Sequence, residues 1–268
     1  MNLIELVIST IAIAVIMVVP ISYKWELPMK SVIIFLINLI PLIIVIIYAV
    51  LIFWKLPIIA VVLFQIFLTA VISISLLLWK FYRDPDRITC PNEKVIYSPA
   101  DGRILYIKRI KEGNSILSEK KNSVYKIEDF THTKYLNNSA YHIGIGMSFI
   151  DVHVNRSPIS GKVKIINHIK GSFKSLKHQK SILENERTVM VIEGKNINIG
   201  LVQIASRLVR MIVLFVKPDQ WIEAGSRIGK IRFGSQVDLI LPQSDSIKIL
   251  VKENDYVKAG LTRIAELT

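Results

Sequence analysis

The sequence predicts a mainly β protein whose N-terminal part consists of transmembrane helices. Three long apolar segments occupy the first 79 residues. The charged residues of that part are Glu5, Lys24, Glu26, Lys30 and Lys55. From Val95 onward, short runs rich in Val and Ile are separated by Gly, Pro, Asn and Asp at intervals of about ten residues, which is typical of β-strands. No helical period of comparable length follows Trp79, so we expect only short helices there.

The three apolar segments are each long enough to cross a bilayer. They cover residues 3–22, 31–54 and 56–79, and a hydrocarbon core of roughly 30 Å requires about 20 apolar residues in a helix. A secretory signal peptide would supply one short apolar run, so we expect residues 1–79 to be retained as a membrane anchor. The first segment is comparatively polar and contains Glu5, which leaves an interfacial position open for it.

Basic residues beside the segments predict their orientation. Lys24 and Lys30 lie in the first loop, and Lys80, Arg83 and Arg87 follow the third segment. Because Lys and Arg are retained on the cytoplasmic side, we expect an external N-terminus. The rest of the chain is then expected on the cytoplasmic side of the cell (inner) membrane.

Residues 80–268 have the composition of a soluble domain with a strong positive charge. They hold 31 of the 34 Lys and Arg residues and 19 of the 21 Asp and Glu residues, a formal charge of +12. A basic domain beside a leaflet is attracted to anionic lipid, at about 1 kcal/mol per basic residue near the surface. Charge alone would also fit nucleic-acid binding, but we expect an anionic membrane and no nucleic acid. The single cysteine, Cys90, excludes an internal disulfide and suits a reducing compartment.

Two internal repeats refine the β prediction. Residues 216–225 (VKPDQWIEAG) are echoed by residues 251–260 (VKENDYVKAG), and residues 98–102 (SPADG) by residues 157–161 (SPISG). This Pro and Gly punctuation predicts tight turns that start hairpins. Strands are expected at residues 103–108, 141–147, 162–166, 188–192, 197–204, 210–216, 237–241 and 247–252. Repeated hairpins of this kind build hybrid barrels such as lipoyl and biotinyl carrier domains, a resemblance of architecture only.

One Gly-Ser pair is a candidate site of backbone chemistry. Gly234 precedes Ser235 between two strand-like runs. A residue without a Cβ leaves its carbonyl open to attack and tolerates backbone strain. The Ser235 hydroxyl could therefore add to the Gly234 carbonyl, although a Gly-Ser pair is far more often an ordinary turn.

The hydroxyl would need a base, and the base would need an orienting group. Asp151 and His153 are two residues apart, so on a strand their side chains share a face. Asp101, in an Ala-Asp-Gly turn, is the other candidate for orienting the base. Taken singly, a His in this position more often just ends a strand, and Asp101 has the pattern of an ordinary Asp-Gly turn residue.

Six short motifs occur in a characteristic order and spacing. They are residues 81–85 (FYRDP), 98–103 (SPADGR), 148–156 (SFIDVHVNR), 185–187 (NER), 202–205 (VQIA) and 232–235 (RFGS). Together they closely resemble the short bacterial and archaeal form of the phosphatidylserine decarboxylase family, over residues 81–241. The N-terminal segments carry no motif and match only as a membrane anchor.

The resemblance implies that self-cleavage between Gly234 and Ser235 converts Ser235 into a pyruvoyl group. The mature enzyme would then consist of a β chain, residues 1–234, and an α chain, residues 235–268. Carried over by motif, Asp101, His153 and Ser235 drive this cleavage. Longer family members have a second His three residues after the first, where this chain has Arg156. The resemblance therefore implies that His153 serves both maturation and proton transfer during decarboxylation.

A pyruvoyl group would supply the electron sink that decarboxylation requires and that ordinary side chains lack. The amine of phosphatidylserine would form a Schiff base with it, and CO2 would leave. His153 could then return a proton before phosphatidylethanolamine is released. Arg187, Arg207 and Arg210 are candidate partners of the phosphate or carboxylate, since guanidinium donors fit such anions. Arginines of this kind are more often structural.

Other cofactors are not indicated by the sequence. The five His residues show no paired metal-ligand spacing and Cys90 stands alone, so we expect no metal. Two alternative functions are kept: a membrane adaptor with a carrier-like β domain, whose chain would stay intact, and a serine hydrolase that uses Ser235 and His153 without self-cleavage. Homo-oligomerisation and the type of lipid chain, diacyl or ether-linked, are left open.

Overall fold

The computed structural model describes residues 2–25, 27–90, 92–110, 139–172, 174, 184–205, 211–231 and 235–268. The chain forms two compact units. The first consists of Met1–Arg83 with Ser148–Ile150, and the second of Asp84–Met147 with Asp151–Thr268.

The first unit contains the three predicted helices. They are α1 (Leu3–Lys24), α2 (Met29–Phe53) and α3 (Ile58–Tyr82). All three are long and apolar enough to cross a membrane, and at most 22% of their most apolar windows is buried within the chain. Their exposed surface is therefore suited to lipid, which confirms the predicted association with a membrane.

Glu5 has a local structural explanation. Its backbone amide donates to the Asn2 side chain at 2.8 Å, and its carboxylate accepts from the Asn2 amide at 2.9 Å. This capping box satisfies amides that have no partner within a helix, so the charged residue marks the start of α1. Pro28 and Pro57 occupy the N-cap positions of α2 and α3.

A polar contact joins two helices inside this apolar unit. Gln65 of α3 donates from Nε2 to the Ser9 hydroxyl at 2.9 Å and to the Thr10 hydroxyl at 2.8 Å, both on α1. Interhelical hydrogen bonds of this type hold helices together where lipid removes the hydrophobic contrast. In the same unit Phe149 stacks on Trp25, with ring centroids 4.8 Å apart, and lies 5.1 Å from the ring of Phe81.

The second unit is built from strands, as predicted. The described strands are β1 (Val95–Tyr97), β2 (Gly102–Ile110), β3 (Ala140–Met147), β4 (Val154–Arg156), β5 (Gly161–Ile169), β6 (Arg187–Glu193), β7 (Asn198–Ala205), β8 (Ile212–Leu214), β9 (Trp221–Ile222), β10 (Arg227–Ile231), β11 (Ser235–Pro242), β12 (Ile247–Ile249), β13 (Tyr256–Val257) and β14 (Arg263–Leu267). Each predicted strand overlaps one of them. The run predicted at residues 210–216 is reduced to β8, and residue 210 lies outside the described residues.

The strands form one large sheet and two small ones, and the described pairings are antiparallel. The large sheet has the order β13-β2-β3-β11-β7-β6-β5-β9, and the small sheets have the orders β1-β14-β12 and β4-β10-β8. Strand alternation divides the apolar residues between the two faces of the large sheet. Ile143, Leu201 and Leu239 belong to the larger core cluster, whereas Val202 and Ile240 belong to a second one.

The sequence repeats correspond to a structural duplication. Asp219 and Asn254 occupy matching repeat positions and have φ angles of 67° and 71°, and Gly225 and Gly260 have φ angles of 83° and 70°. The two hairpins place β9 and β13 at opposite edges of the large sheet.

Reciprocal hydrogen bonds relate the two SPxxG turns. The Tyr97 amide donates to the Pro158 carbonyl and the Arg156 amide donates to the Pro99 carbonyl, each at 2.9 Å. The echoes are therefore two related halves of one β unit, which agrees with the predicted mainly β, hybrid-barrel-like architecture.

Candidate active site

Ser235 begins the central strand of the large sheet. Its backbone lies opposite Met147, the last residue of β3, and opposite Ala205, the last residue of β7. Ser235, the second residue of the candidate cleavage bond, therefore lies at one end of the strands, where β11 starts between the ends of its two neighbours. Gly234 itself is outside the described residues.

Strand pairing places Asp101 and Arg187 at the same end of the strands as Ser235. Asp101 directly precedes β2, whose Arg103 lies opposite Gly146 of β3. Arg187 begins β6 opposite Ile204 of β7. Because adjacent strands run in opposite directions, this end of the sheet holds the first residue of one strand beside the last residue of the next. Residues far apart in the chain are therefore collected at one end of the sheet.

His153 is placed by its backbone beside the strand that leads to the cleavage bond. Its carbonyl accepts from the Ile231 amide at 3.2 Å, and Val154 pairs with Lys230. Ile231 ends β10 and is the last described residue before Ser235. The backbone of the predicted base is thus hydrogen-bonded to Ile231, which lies three positions before Gly234 in the sequence.

The imidazole of His153 is buried and has a defined hydrogen bond. Its Nδ1 lies 2.8 Å from the backbone carbonyl oxygen of Asp151. A carbonyl oxygen only accepts, so Nδ1 carries the hydrogen and the neutral ring has its lone pair on Nε2. The sequence led us to expect a contact between two side chains that share a strand face. The described hydrogen bond is to the backbone of Asp151, and both residues precede β4. A contact between the two side chains stays a prediction.

The carboxylate of Asp151 has a different described partner. Tyr256 donates its hydroxyl hydrogen to Oδ1 of Asp151 at 2.6 Å. Tyr256 begins β13, so a residue near the C-terminus contacts the segment that carries His153. In the sequence, Tyr256 stands out only by its place in the repeat.

Asp101 is held by an arginine and by a backbone amide. The Arg87 guanidinium donates to both carboxylate oxygens, at 2.6 and 2.8 Å, and the Ala259 amide donates to Oδ1 at 2.8 Å. The hydrogen bond to Asp101 raises the pKa of Arg87 above its usual value. Arg87 also donates to the Ala259 carbonyl at 2.8 Å. A role for Asp101 in orienting His153 stays a prediction.

The duplicated half of the fold explains one of these contacts. In the second repeat the Ser160 hydroxyl occupies the position of Asp101 and accepts from the Ala224 amide at 2.9 Å. Capping the hairpin amide therefore needs only a short side chain with an acceptor oxygen. The negative charge of Asp101 serves the pairing with Arg87, which is specific to the half that contains the candidate site.

Gly102 is required by the close approach of β2 to β3. Its φ angle is +151°, and a Cβ would lie 2.2 Å from the Gly146 carbonyl oxygen. We predict that Gly102→Ala lowers the free energy of unfolding by about 1–3 kcal/mol from backbone strain. The close approach of the new Cβ to the Gly146 carbonyl should add to that loss. Gly146→Ala is the matched control, because its Cβ would meet only the half-exposed side chain of Leu105. Thermal unfolding of the two variants should differ clearly, and equal melting temperatures would contradict this account.

Comparison with known proteins supports the motif resemblance. The family described as phosphatidylserine decarboxylase matches residues 74–265. The chain belongs to the phosphatidylserine decarboxylase family.

Named relatives cover most of this chain and of their own lengths. A protein of Methanocaldococcus jannaschii, provisionally named an archaetidylserine decarboxylase proenzyme, is 39% identical over 73% of this chain and 92% of its own. The phosphatidylserine decarboxylase proenzyme of Novosphingobium aromaticivorans is 35% identical over 72% of this chain and 73% of its own. That of Azorhizobium caulinodans is 34% identical over 73% and 77%. These names describe decarboxylases that are made as precursors.

Arg156, where longer members of the phosphatidylserine decarboxylase family have a second His, makes structural contacts here. Its guanidinium donates to the carbonyls of Gly225 at 3.0 Å and Pro85 at 2.9 Å, and lies 3.3 Å from the Asp84 carboxylate. Burial lowers the pKa of this guanidinium. Arg156 therefore fastens the segment after α3 to the hairpin turn that ends at Gly225.

Of the three predicted anion-binding arginines, the structure describes Arg187. Arg187 is buried, burial lowers the pKa of its guanidinium, and it donates to the Asn185 carbonyl at 3.3 Å. Because it lies at the same end of the strands as Ser235, Arg187 stays a candidate for binding the phosphate or carboxylate. Arg207 and Arg210 lie outside the described residues.

A buried amide pair beside Ser235 was missed by sequence reasoning. Gln203 donates to the Asn155 side chain at 2.7 Å, and Asn155 lies 3.9 Å from the Met147 sulfur. Gln203 pairs with Val237 in the ladder next to Ser235. Gln203 and Asn155 were noticed only as parts of two motifs, since polar residues at isolated strand positions carry no signal of what they contact.

A second polar cluster lies along β11. Asp238 accepts from the Tyr106 hydroxyl at 3.0 Å and from Gln236 at 2.7 Å, and the His142 Nε2 lies 2.7 Å from it. Burial, and then the charge of Asp238, raise the pKa of Tyr106 well above its usual value. Gly144 leaves the space that the Tyr106 ring fills. This cluster links β11 to β2 and β3. Among the described residues there is no group of three or more His, Cys, Asp or Glu side chains that could hold a metal ion.

Proposed function

We propose that this chain decarboxylates phosphatidylserine to phosphatidylethanolamine and CO2, using a pyruvoyl group made from Ser235 by self-cleavage at Gly234-Ser235. The observation that carries the proposal is the position of Ser235 at the start of β11, at the same end of the strands as Asp101. His153 is placed beside the strand that leads into it. Family membership adds the reaction type, because the relatives are named as decarboxylase precursors.

The self-cleavage begins with the Ser235 hydroxyl. His153, with its lone pair on Nε2, accepts the hydroxyl proton as the oxygen adds to the Gly234 carbonyl. The proton then passes to the nitrogen of residue 235 as the C–N bond breaks, which replaces the amide by an ester and leaves a free amine. Elimination across the Cα–Cβ bond of residue 235 then releases Gly234 as a carboxylate and leaves a dehydroalanine. Hydrolysis of that group consumes water, releases ammonia and leaves the keto group.

In the decarboxylation, the pyruvoyl group supplies an electron sink for the carbon that loses CO2. The protein's residues bind and orient the head group around it. Arg187, with Arg207 and Arg210 as further candidates, would pair with the phosphate or carboxylate. His153 would return the proton to the carbon that has lost CO2.

The two chains would stay together after cleavage. β11 is hydrogen-bonded to β3 on one side and to β7 on the other, β13 to β2, and β14 to β1. Strands from residues 235–268 are therefore paired within sheets formed mainly by residues 1–234. The helices would hold the enzyme in the inner membrane with the β unit on its cytoplasmic side, where the basic residues meet anionic lipid.

Mass spectrometry of the purified full-length protein tests the proposal. We expect two chains, 1–234 and 235–268, with the second lighter by one ammonia molecule than a fragment that has a free amino end. Borohydride in the presence of phosphatidylserine should join the lipid to the short chain through the reduced Schiff base. The short chain should gain the mass of the lipid less one oxygen atom, and less CO2 as well where decarboxylation precedes the reduction. A parallel sample with an ether-linked serine lipid shows whether the lipid chains matter. An active protein whose backbone is intact would contradict the proposal.

A further inference from the structure

We propose that Tyr256 and Asp151 are positioning residues that fix the tautomer and orientation of His153. This inference deepens the proposed function and rests on it. The hydroxyl of Tyr256 holds the carboxylate of Asp151 at 2.6 Å, and the carbonyl of Asp151 holds Nδ1 of His153 at 2.8 Å. One residue thus connects the tyrosine to the imidazole through its side chain and its backbone.

The geometry defines what the connection does. A carbonyl acceptor at Nδ1 keeps the hydrogen there and leaves Nε2 to act as the base. The carbonyl can do so only while the Asp151 peptide keeps its orientation. Asp151 lies in a turn before β4, outside the ladder hydrogen bonds that fix strand residues. The Tyr256 hydroxyl bond anchors the side chain of the residue that supplies this carbonyl.

The duplicated half of the fold shows that this connection is not part of the general scaffold. The carbonyl of Lys94 accepts from the Leu267 amide at 2.7 Å, just as the carbonyl of His153 accepts from the Ile231 amide. Lys94 thus occupies the repeat position of His153, and Trp221 occupies that of Tyr256. Trp221 has no hydroxyl and Lys94 has no imidazole. The backbone contact is common to both halves, whereas the side-chain connection belongs to the half with the candidate site.

The connection also joins the two proposed chains. Tyr256 lies in residues 235–268, whereas Asp151 and His153 lie in residues 1–234. The hydrogen bond is therefore made in the precursor and is retained after cleavage. Because His153 is proposed to act in both reactions, a loss of positioning should slow both self-cleavage and decarboxylation.

The test compares Tyr256→Phe with Trp221→Phe in the full-length protein in detergent. The first change removes only the hydroxyl, and the second alters the aromatic residue at the matching repeat position. We expect Tyr256→Phe to slow self-cleavage about 10-fold or more, the usual scale for losing a hydrogen bond to a charged group. In processed enzyme kcat should fall while KM stays unchanged. Trp221→Phe should process and turn over like the parent.

Asp151→Asn is the second variant and preserves the size of the side chain. Its neutral oxygen still accepts from Tyr256 but more weakly, so its rate should lie between those of the parent and Tyr256→Phe. If Tyr256→Phe lowers the melting temperature, Asp151→Asn decides. If a folded Tyr256→Phe variant cleaves and decarboxylates at the parent's rates, the positioning role is wrong and the proposed function still stands. If Tyr256→Phe is unstable, the same rates in Asp151→Asn lead to the same conclusion. A parent protein that never cleaves would overturn both.

Discussion

Ser235→Ala is expected to give one uncleaved polypeptide of about 30.5 kDa with no decarboxylase activity. Alanine has no oxygen to attack the Gly234 carbonyl, so neither the ester nor the keto group can form. The effect should be complete rather than partial. Denaturing gels and intact mass measure the cleavage, and release of CO2 from phosphatidylserine measures the activity.

Ser246→Ala is the control for this variant. Ser246 is an exposed serine in the same C-terminal part, and its hydroxyl is hydrogen-bonded to that of Ser244. It should cleave and turn over normally. A cleaved Ser235→Ala chain would show that another residue performs the cut, and the assignment of Ser235 would be wrong.

Arg87→Met is expected to lower the free energy of unfolding by about 3–5 kcal/mol, because it leaves the buried charge of Asp101 without its partner. The side chains of Arg87 and Asp101 are only 7% and 4% exposed. Unfolding is best measured in the Ser235→Ala background, where the chain should stay continuous. Adding Asp101→Asn to Arg87→Met should restore much of the loss, since both charges are then removed.

Arg227→Met provides an exposed comparison. Arg227 pairs with Asp84 and Asp86 at 2.6 and 2.7 Å, but its side chain is 41% exposed and solvent screens the pairs. Its melting temperature should stay close to that of the parent. If Arg87→Met behaved in the same way, the pair with Asp101 would not be a structural anchor.

Local sequence patterns were sufficient for the elements of the fold. The three apolar segments became α1, α2 and α3 within a few residues, because length and hydrophobicity alone define a membrane helix. Alternation and Gly or Pro punctuation located the strands for a similar local reason. The repeats predicted hairpins, and Gly225 and Gly260 adopt matching left-handed turns.

The contacts within the site could not be read from such patterns. Asp101 pairs with Arg87 and with the Ala259 amide, and Asp151 pairs with Tyr256 more than 100 positions away. Strand register sets these partners, and register depends on the packing of the whole sheet. Gln203 and Asn155 were overlooked for the same reason.

The sequence by itself determined three apolar helices long enough to cross a membrane, the β-rich domain and the family, since each is encoded in neighbouring residues. The prediction that Gly234-Ser235 is the point of chemistry also rests on the sequence. Only the tertiary structure decided that a backbone carbonyl fixes the His153 ring and that Arg87 holds Asp101. It also decided that Tyr256 and Ala259, near the C-terminus, bond to Asp151 and Asp101. These depend on antiparallel pairing between distant segments, which a one-dimensional pattern does not specify.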